Sequence, residues 1–147
     1  TSHEVVVEMR GKGTLNGSRG NAWLAYQPAP QATQDLAGDW LGTKDSLRYD
    51  IKLSLPGNWS GKAARRSVII DKTQSGRNVI LHTEGRFLGV MINGRWIRRH
   101  HHLIGDRMDL NITPWVKFGE ENEIELVGDS RKALAISLNF YDKTVYP

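Results

Sequence analysis

Apolar and polar residues alternate along residues 47–55 with a period of two. The apolar positions are Leu47, Tyr49, Ile51, Leu53 and Leu55. This period predicts a β-strand with one face against a core and the other toward solvent. The same alternation returns at 107–113 and 134–141, and shorter versions lie at 4–10, 22–27, 66–71, 78–83 and 122–127.

The run from Phe87 to Ile92 is almost wholly apolar, which is typical of a strand inside a packed sheet. Asn93-Gly94 follows it and predicts a tight hairpin, with another strand at 95–99. No window shows the period of a helix. Many short strands separated by turn residues predict an all-β fold, a two-sheet β-sandwich or jelly roll.

Residues 28–46 are the least regular part of the chain, with prolines, glycines and few apolar side chains. We expect a long surface loop there, with one short turn of helix. No change in composition divides the chain, and no internal repeat is visible. The sequence therefore predicts a single β-sandwich domain over residues 1–147, as part of a larger protein.

The net charge of the chain limits the classes of partner that we expect it to bind. It has 147 residues, with 20 Lys and Arg against 16 Asp and Glu, a net charge of +4. The positive charges form no long tract, so neither nucleic acid nor a membrane is an expected partner. A nucleic-acid or membrane-surface binder stays as a minor hypothesis. The chain has no cysteine, which excludes disulfides and zinc–thiolate sites.

Known catalytic motifs are missing: there is no G-x-S-x-G elbow, no H-E-x-x-H and no phosphate-binding loop. Most acidic residues fall at outward strand positions, Glu123 and Glu125 among them, where solvated surface charge is the simpler interpretation. We expect the domain itself to be non-catalytic.

Metal binding has two candidate groups. His100, His101 and His102 are consecutive, and adjacent side chains on an extended chain point in opposite directions, so a loop or ligand-contact role is the better interpretation. Asp35, Asp39 and Asp45 could supply oxygen ligands to calcium but lack a loop signature, and turn aspartates are the simpler alternative. We expect no cofactor, with structural calcium left open.

Two motifs carry a resemblance to a known family. The first is Val90-Met91-Ile92-Asn93-Gly94; the second runs from Asp109-Leu110-Asn111-Ile112-Thr113 to Gly119, Asn122 and Ile124. Together they resemble the N-terminal sugar-binding jelly-roll domain of family 2 glycoside hydrolases, within the galactose-binding-domain-like superfamily. The stretch from Arg48 to Val127 carries the match, about half of the chain.

The resemblance implies a non-catalytic carbohydrate-binding or accessory module of a glycan-degrading enzyme. Its partners would be a carbohydrate and a catalytic domain of the same parent chain, in a bacterial protein that is secreted, periplasmic or at the cell surface. Where the family has a glycine- and aromatic-rich loop, this chain has a basic segment at 98–106. The alternative is a structural accessory β-sandwich that packs on a catalytic domain without binding sugar.

Candidate ligand contacts follow from the chemistry of sugars, which stack on flat aromatic rings and share hydrogen bonds with planar polar groups. Trp40, Trp96 and Trp23 are the aromatic candidates, whereas Trp115 is expected in the core and Trp59 at an edge.

The densest basic cluster is the second source of candidates, and it contains Arg98, Arg99, His100 and His102. An arginine pairs well with a carboxylate or sulfate, so an acidic polysaccharide is the predicted target. Arg65 and Arg66 would extend this cluster if their strand lay alongside it. Solvated surface charge is the alternative interpretation.

Overall fold

The computed structural model describes residues 29–85, 88–98, 107–128 and 135–143. Within these ranges there are ten strands and two short 3₁₀ turns, at Lys72–Gln74 and Thr113–Trp115. The strands are β1 (Ala32–Asp35), β2 (Gly38–Thr43), β3 (Ile51–Leu55), β4 (Ala63–Ile69), β5 (Arg77–Glu84), β6 (Gly89–Ile92), β7 (Arg95–Arg98), β8 (Arg107–Asn111), β9 (Glu121–Val127) and β10 (Ala135–Asp142). No described helix is long and apolar enough to cross a membrane.

The strands form two antiparallel sheets. The four-stranded sheet has the order β1-β10-β5-β8, and the six-stranded sheet has the order β3-β2-β4-β9-β6-β7. The chain passes repeatedly from one sheet to the other, since β4, β6 and β7 belong to one sheet while β5 and β8 belong to the other.

Apolar side chains from both sheets meet in one core. Leu138, Leu81 and Leu110 lie side by side across the four-stranded sheet, and all are at most 5% exposed. In the six-stranded sheet, Leu126 is paired with both Ala64 and Val90, which are fully buried. The shared core confirms the predicted two-sheet β-sandwich, and the alternation along each strand explains it.

The expected surface loop at 28–46 is wrong, because this region contains β1 and β2. Leu36 between them is 0% exposed and Trp40 is 2% exposed. The indole N–H of Trp40 donates to the Leu36 carbonyl at 2.9 Å, and Arg66 Nη1 donates to the same carbonyl at 2.7 Å. This region has no regular apolar alternation. It is held in the fold by two large buried side chains and by hydrogen bonds to the backbone carbonyl of Leu36.

Trp59 occupies the core rather than an edge, at 7% exposure. Its ring lies across two glycines: a Cβ at Gly42 would come within 2.4 Å of the Trp59 Cη2, and one at Gly61 within 2.1 Å of the Cζ2. Glycine is required at both positions because the indole fills the space of a side chain. Gly42 is also one of the glycines that favoured the prediction of a loop at residues 28–46.

The strand predicted at 47–55 is shorter than expected, since β3 begins at Ile51. Asp45 Oδ1 accepts the backbone N–H groups of Leu47 at 2.8 Å and Arg48 at 2.9 Å. These bonds form a turn that holds the chain away from the sheet, and Leu47 is 85% exposed. The aspartate turn therefore overrides the apolar period over the first four positions.

The two motifs of the family resemblance meet in the fold. Asn93 and Gly94 have positive φ angles of 50° and 82°, as the tight hairpin between β6 and β7 requires. Asn93 Nδ2 donates to Asn122 Oδ1 at 2.9 Å, and Asn122 Nδ2 donates to the carbonyls of Lys117 at 2.8 Å and Glu120 at 3.0 Å. The Asn122 amide, fully buried, joins the hairpin to the chain that enters β9.

The remaining strands follow their predictions closely, with shifts at their ends. The pattern at 107–113 ends as a strand at Asn111 and continues as a 3₁₀ turn that contains Trp115, which packs against the core as expected. The strands predicted at 4–10 and 22–27 lie outside the described residues.

Replacement of Leu36 by alanine tests the corrected region. Leu36→Ala leaves a cavity in the core and should lower the free energy of unfolding by about 2–5 kcal/mol. Leu47→Ala is the matched control, since Leu47 is solvent-exposed, and should change it by less than about 0.5 kcal/mol. Urea unfolding of both variants measures the difference, and equal values would contradict the burial of Leu36.

Replacement of Asn122 by aspartate tests the junction of the two motifs. Asn122→Asp keeps the size and the acceptor but directs a carboxylate oxygen at two carbonyls, so it should cost about 2–4 kcal/mol of unfolding free energy. Asn58→Asp, at an exposed position, is the control and should be close to neutral. Thermal and urea unfolding provide the measurement. An unchanged stability of Asn122→Asp would show that the Asn122 amide does not hold the two motifs together.

Candidate ligand-binding site

One row of outward-facing residues crosses the whole six-stranded sheet. Strand register places one residue of each strand beside the next, in the order Lys52, Leu41, Arg65, Glu125, Met91 and Trp96. We call this set the cross-strand row. Its members alternate with core residues along every strand, so the packing of the core directs all of them to the opposite face.

A groove of about 780 Å³ lies over β2, β3, β4 and β9 on this face. Its lining consists of Asp39, Trp40, Leu41, Lys52, Leu53, Ser54, Arg65, Arg66, Ser67 and Glu123. Both signs of charge, two hydroxyls and an apolar strip are present. This mixture of short polar groups and apolar surface is typical of sites for small polar ligands.

Tyr49 lies over the middle of the cross-strand row. Its hydroxyl donates to Glu125 Oε1, and the guanidinium carbon of Arg65 stands 3.8 Å from the centre of its ring. Glu125 is only 8% exposed, although it belongs to the outward face. The tyrosine therefore covers a carboxylate and supports a guanidinium at the same time.

These surroundings make the Tyr49 hydroxyl less acidic than that of an ordinary tyrosine. Burial, and then the hydrogen bond to Glu125, raise its pKa from 10.0 to about 12. A negative phenolate would lie next to a negative carboxylate, so the neutral hydroxyl is the form that the folded protein stabilises.

The loop that carries Tyr49 is fixed by the aspartate turn at its start. The Arg48 and Leu47 N–H groups and the Thr43 hydroxyl all donate to Asp45 Oδ1, and they hold the pKa of Asp45 below its usual 3.8. Because the turn ends at Arg48, the next residue reaches back over the sheet.

Arg66 is beside Arg65 in sequence but has a different role. Its Nη1 donates to the carbonyls of Leu36 at 2.7 Å and Ala37 at 2.8 Å, at the bend between β1 and β2. These bonds commit that nitrogen of Arg66 to the fold, although the side chain still contributes to the wall of the groove.

Trp96 ends the cross-strand row on the edge strand β7, and it is 44% exposed. Its ring covers Gly89, where a Cβ would come within 2.7 Å of the Trp96 Cη2. Three strand spacings separate Trp96 from Arg65, a distance of about 14 Å. The indole is thus held against the sheet, with part of its surface open to solvent on the same face as the groove.

The other predicted contacts are placed differently. Trp40 is packed in the core at 2% exposure, although it is also one of the residues that line the groove. Arg98 is the last residue of β7 and pairs through its backbone with Gly89. Trp23, Arg99, His100 and His102 lie outside the described residues.

The strand that carries Arg65 and Arg66, β4, does not lie alongside β7, which ends at Arg98, because β9 and β6 lie between them. The rest of the basic cluster lies outside the described residues. Arg65 belongs to the groove instead.

Two of the three aspartates considered as calcium ligands accept hydrogen bonds from backbone N–H groups of nearby residues, and the third lines the groove. Asp35 Oδ1 accepts the N–H of Ala37 at 2.9 Å, Asp45 forms the turn described above, and Asp39 lines the groove. Within the described ranges, no group of three or more His, Asp or Glu residues is arranged to hold a metal ion.

Sequence reasoning missed Tyr49 and Glu125 as site residues, and it considered Arg65 only as an extension of the basic cluster. It placed Tyr49 on the inner face of a strand and treated Glu125 as solvated. The sequence offered one signal for the site: Arg65 borders a predicted strand, Glu125 falls at an outward position of another, and the two carry opposite charges. That the two strands are neighbours is visible only in the fold, where Arg65 pairs with Glu125.

Comparison with solved structures supports the architecture. A β-D-glucuronidase of Dictyoglomus thermophilum is 22% identical, with a TM-score of 0.59 over 71% of this chain and 20% of its own. A glycosyl hydrolase family 2 member of Bacteroides cellulosilyticus is 20% identical, with a TM-score of 0.57 over 75% of this chain and 21% of its own. This chain has the fold of a part of such family 2 chains.

A β-glucuronidase of an uncultured Clostridium species is 13% identical, with a TM-score of 0.63 over 83% of this chain and 31% of its own. The chain thus spans about a fifth to a third of the length of these solved proteins. No protein-family model and no curated protein matches the sequence. The likeness concerns the jelly-roll fold, and it agrees with the resemblance carried by the two motifs.

The raised pKa of Tyr49 predicts how the free energy of unfolding changes between pH 10 and pH 12. Because the folded pKa is about 12 and the ordinary value is 10.0, the hydroxyl stabilises the fold fully below pH 10 and loses this contribution as the pH rises toward 12. The gap in melting temperature between the protein and Tyr49→Phe should narrow over this range. A gap that stays constant from pH 10 to pH 12 would contradict the Tyr49–Glu125 bond.

Proposed function

We propose that this chain is a non-catalytic carbohydrate-binding or accessory module of a glycan-degrading enzyme, and that it holds its ligand on the outward face of the six-stranded sheet. The observation that carries the proposal is the groove of about 780 Å³ on that face, with Trp96 exposed on the same surface. An open groove with polar and apolar lining on the face of a sheet is suited to binding rather than to enclosing a reaction.

The groove supplies the contacts that sugars need. Charged and hydroxyl groups of Lys52, Ser54, Ser67 and Glu123 can share hydrogen bonds with several sugar hydroxyls. An exposed indole can stack against the C–H face of a sugar ring, and Trp96, whose ring lies against Gly89, is 44% exposed. At about 14 Å from Arg65, Trp96 would contact a different residue of the same glycan chain.

The parent protein and its location are part of the proposed function. We infer a larger bacterial protein, secreted, periplasmic or at the cell surface, in which this module lies beside a catalytic domain on the same chain. The likeness to about a fifth to a third of several glycoside hydrolase chains supports this inference. A module of this kind raises the local concentration of substrate by avidity.

We further propose an acidic polysaccharide as the preferred ligand. The basic residues predicted for this role, Arg98, Arg99, His100 and His102, remain candidates together with Trp23. Arg65 and Lys52 are the cations that the described face adds.

A second function is favoured by one observation. Leu41 is 39% exposed and Trp96 is 44% exposed, and both belong to the cross-strand row. An outward sheet face with exposed apolar residues also suits contact with a neighbouring protein domain. In that case the module would be a structural accessory sandwich, and the same face would pack on the catalytic domain without sugar.

Affinity gel electrophoresis of the 147-residue chain separates the two functions. The gels contain neutral or acidic plant and algal polysaccharides at low and at moderate salt. Binding through the sheet face predicts retardation by at least one polysaccharide, and Trp96→Ala should weaken it about tenfold through the loss of ring stacking.

Ile69→Ala is the matched control, because Ile69 is 65% exposed on β4 of the same sheet but does not line the groove. It should migrate like the unchanged chain. Retardation that Trp96→Ala leaves intact would move the site away from this face. No retardation in any gel would favour the structural accessory function.

A further inference from the structure

Arg65 and Glu125 are direct neighbours on paired strands, where opposite charges commonly form an ion pair. They form none here: among the described residues, the Arg65 guanidinium makes no hydrogen bond or ion pair, and its contact is the Tyr49 ring at 3.8 Å. The acceptor that would attract it, Glu125, is already bonded to the Tyr49 hydroxyl. One tyrosine therefore separates two charges that are adjacent in the sheet.

Because Glu125 is bonded to Tyr49, the N–H donors of Arg65 are available to a ligand in the groove. A guanidinium has five N–H donors arranged in a plane, a geometry that matches a carboxylate. Arg66, the other arginine of the groove, donates to two backbone carbonyls, and Lys52 is exposed at the far wall. Of the two arginines that line the groove, Arg65 is the one whose guanidinium rests on an aromatic ring and makes no hydrogen bond to the described residues.

We propose that Arg65 binds a carboxylate of the ligand in this groove, and that Tyr49 is its positioning residue, because the Tyr49 hydroxyl is bonded to Glu125 and the Tyr49 ring contacts the Arg65 guanidinium. The inference rests on the proposed glycan-binding function and names the group that gives it acidic specificity. Removal of the Tyr49 hydroxyl alone should let Glu125 attract Arg65, so that the two pair with each other and the carboxylate of the ligand is released.

The first experiment uses matched ligands. Oligosaccharides of galacturonate, guluronate and glucuronate are each compared with the same oligosaccharide after its carboxylates have been reduced to alcohols. Isothermal titration of the 147-residue chain should show about ten- to hundredfold tighter binding of at least one acidic form. Arg65→Gln should abolish this preference while affinity for the reduced form stays within about twofold.

A charge-matched control accompanies this variant. Lys72→Gln removes one positive charge at an exposed position that does not line the groove, and it should leave the preference unchanged. An equal loss in Lys72→Gln and Arg65→Gln would assign the effect to net charge and overturn the role of Arg65.

The second experiment tests the positioning role of Tyr49. Tyr49→Phe keeps the ring under Arg65 but frees Glu125, so it should reduce the acidic preference about tenfold. The double variant Tyr49→Phe/Glu125→Gln removes the competing carboxylate and should restore the preference. A merely structural effect of Tyr49→Phe would not be rescued by a second change in the same cluster.

The outcomes distinguish the inference from the function on which it rests. If the chain binds acidic and reduced oligosaccharides equally, and Arg65→Gln binds as well as the unchanged chain, the Arg65 inference fails and glycan binding stands. If Tyr49→Phe loses the preference and the double variant does not regain it, the positioning role fails. If no glycan binds under any condition, both proposals fail.

Discussion

The period of two along each strand, together with one core shared by two sheets, is the constraint on which the rest of this structure depends. Once Ala64, Leu126 and Val90 are directed into the core, the residues next to them must point outward. The cross-strand row is the direct product of this alternation. A shift of one residue in β4 or β9 would direct a charged residue of the row, Arg65 or Glu125, into the core and expose an apolar one, so core packing also fixes the candidate site.

Within that row, the arrangement around Glu125 shows how a buried charge is tolerated at a surface. A carboxylate that is 8% exposed loses most of its water and needs a donor in return. The obvious donor is Arg65 on the neighbouring strand, yet the bond comes from Tyr49, which an aspartate turn brings back over the sheet. The fold thereby satisfies the acid with a neutral group and leaves the cation for other contacts, a separation that a simple pair of oppositely charged strands could not achieve.

The sequence contained enough information to predict the sandwich, most of the strands and the hairpin at Asn93. These features depend on local alternation and on turn residues whose backbone angles are restricted. It was insufficient for β1 and β2, because their burial depends on Leu36, Trp40 and a glycine that makes room for Trp59. It was also insufficient for the site around Tyr49, which requires the pairing of β4 with β9 and the turn at Asp45. Both depend on contacts between distant parts of the chain, which no local pattern encodes.

The position of β10 has a consequence for how the chain is made. This strand, the last of those described, lies between β1 and β5 inside the four-stranded sheet rather than at its edge. On a ribosome, β1 emerges long before β10, its partner in this sheet, and the four-stranded sheet cannot be completed until residues 135–142 follow. We therefore expect folding to be sensitive to chaperones and to the speed of translation near this strand.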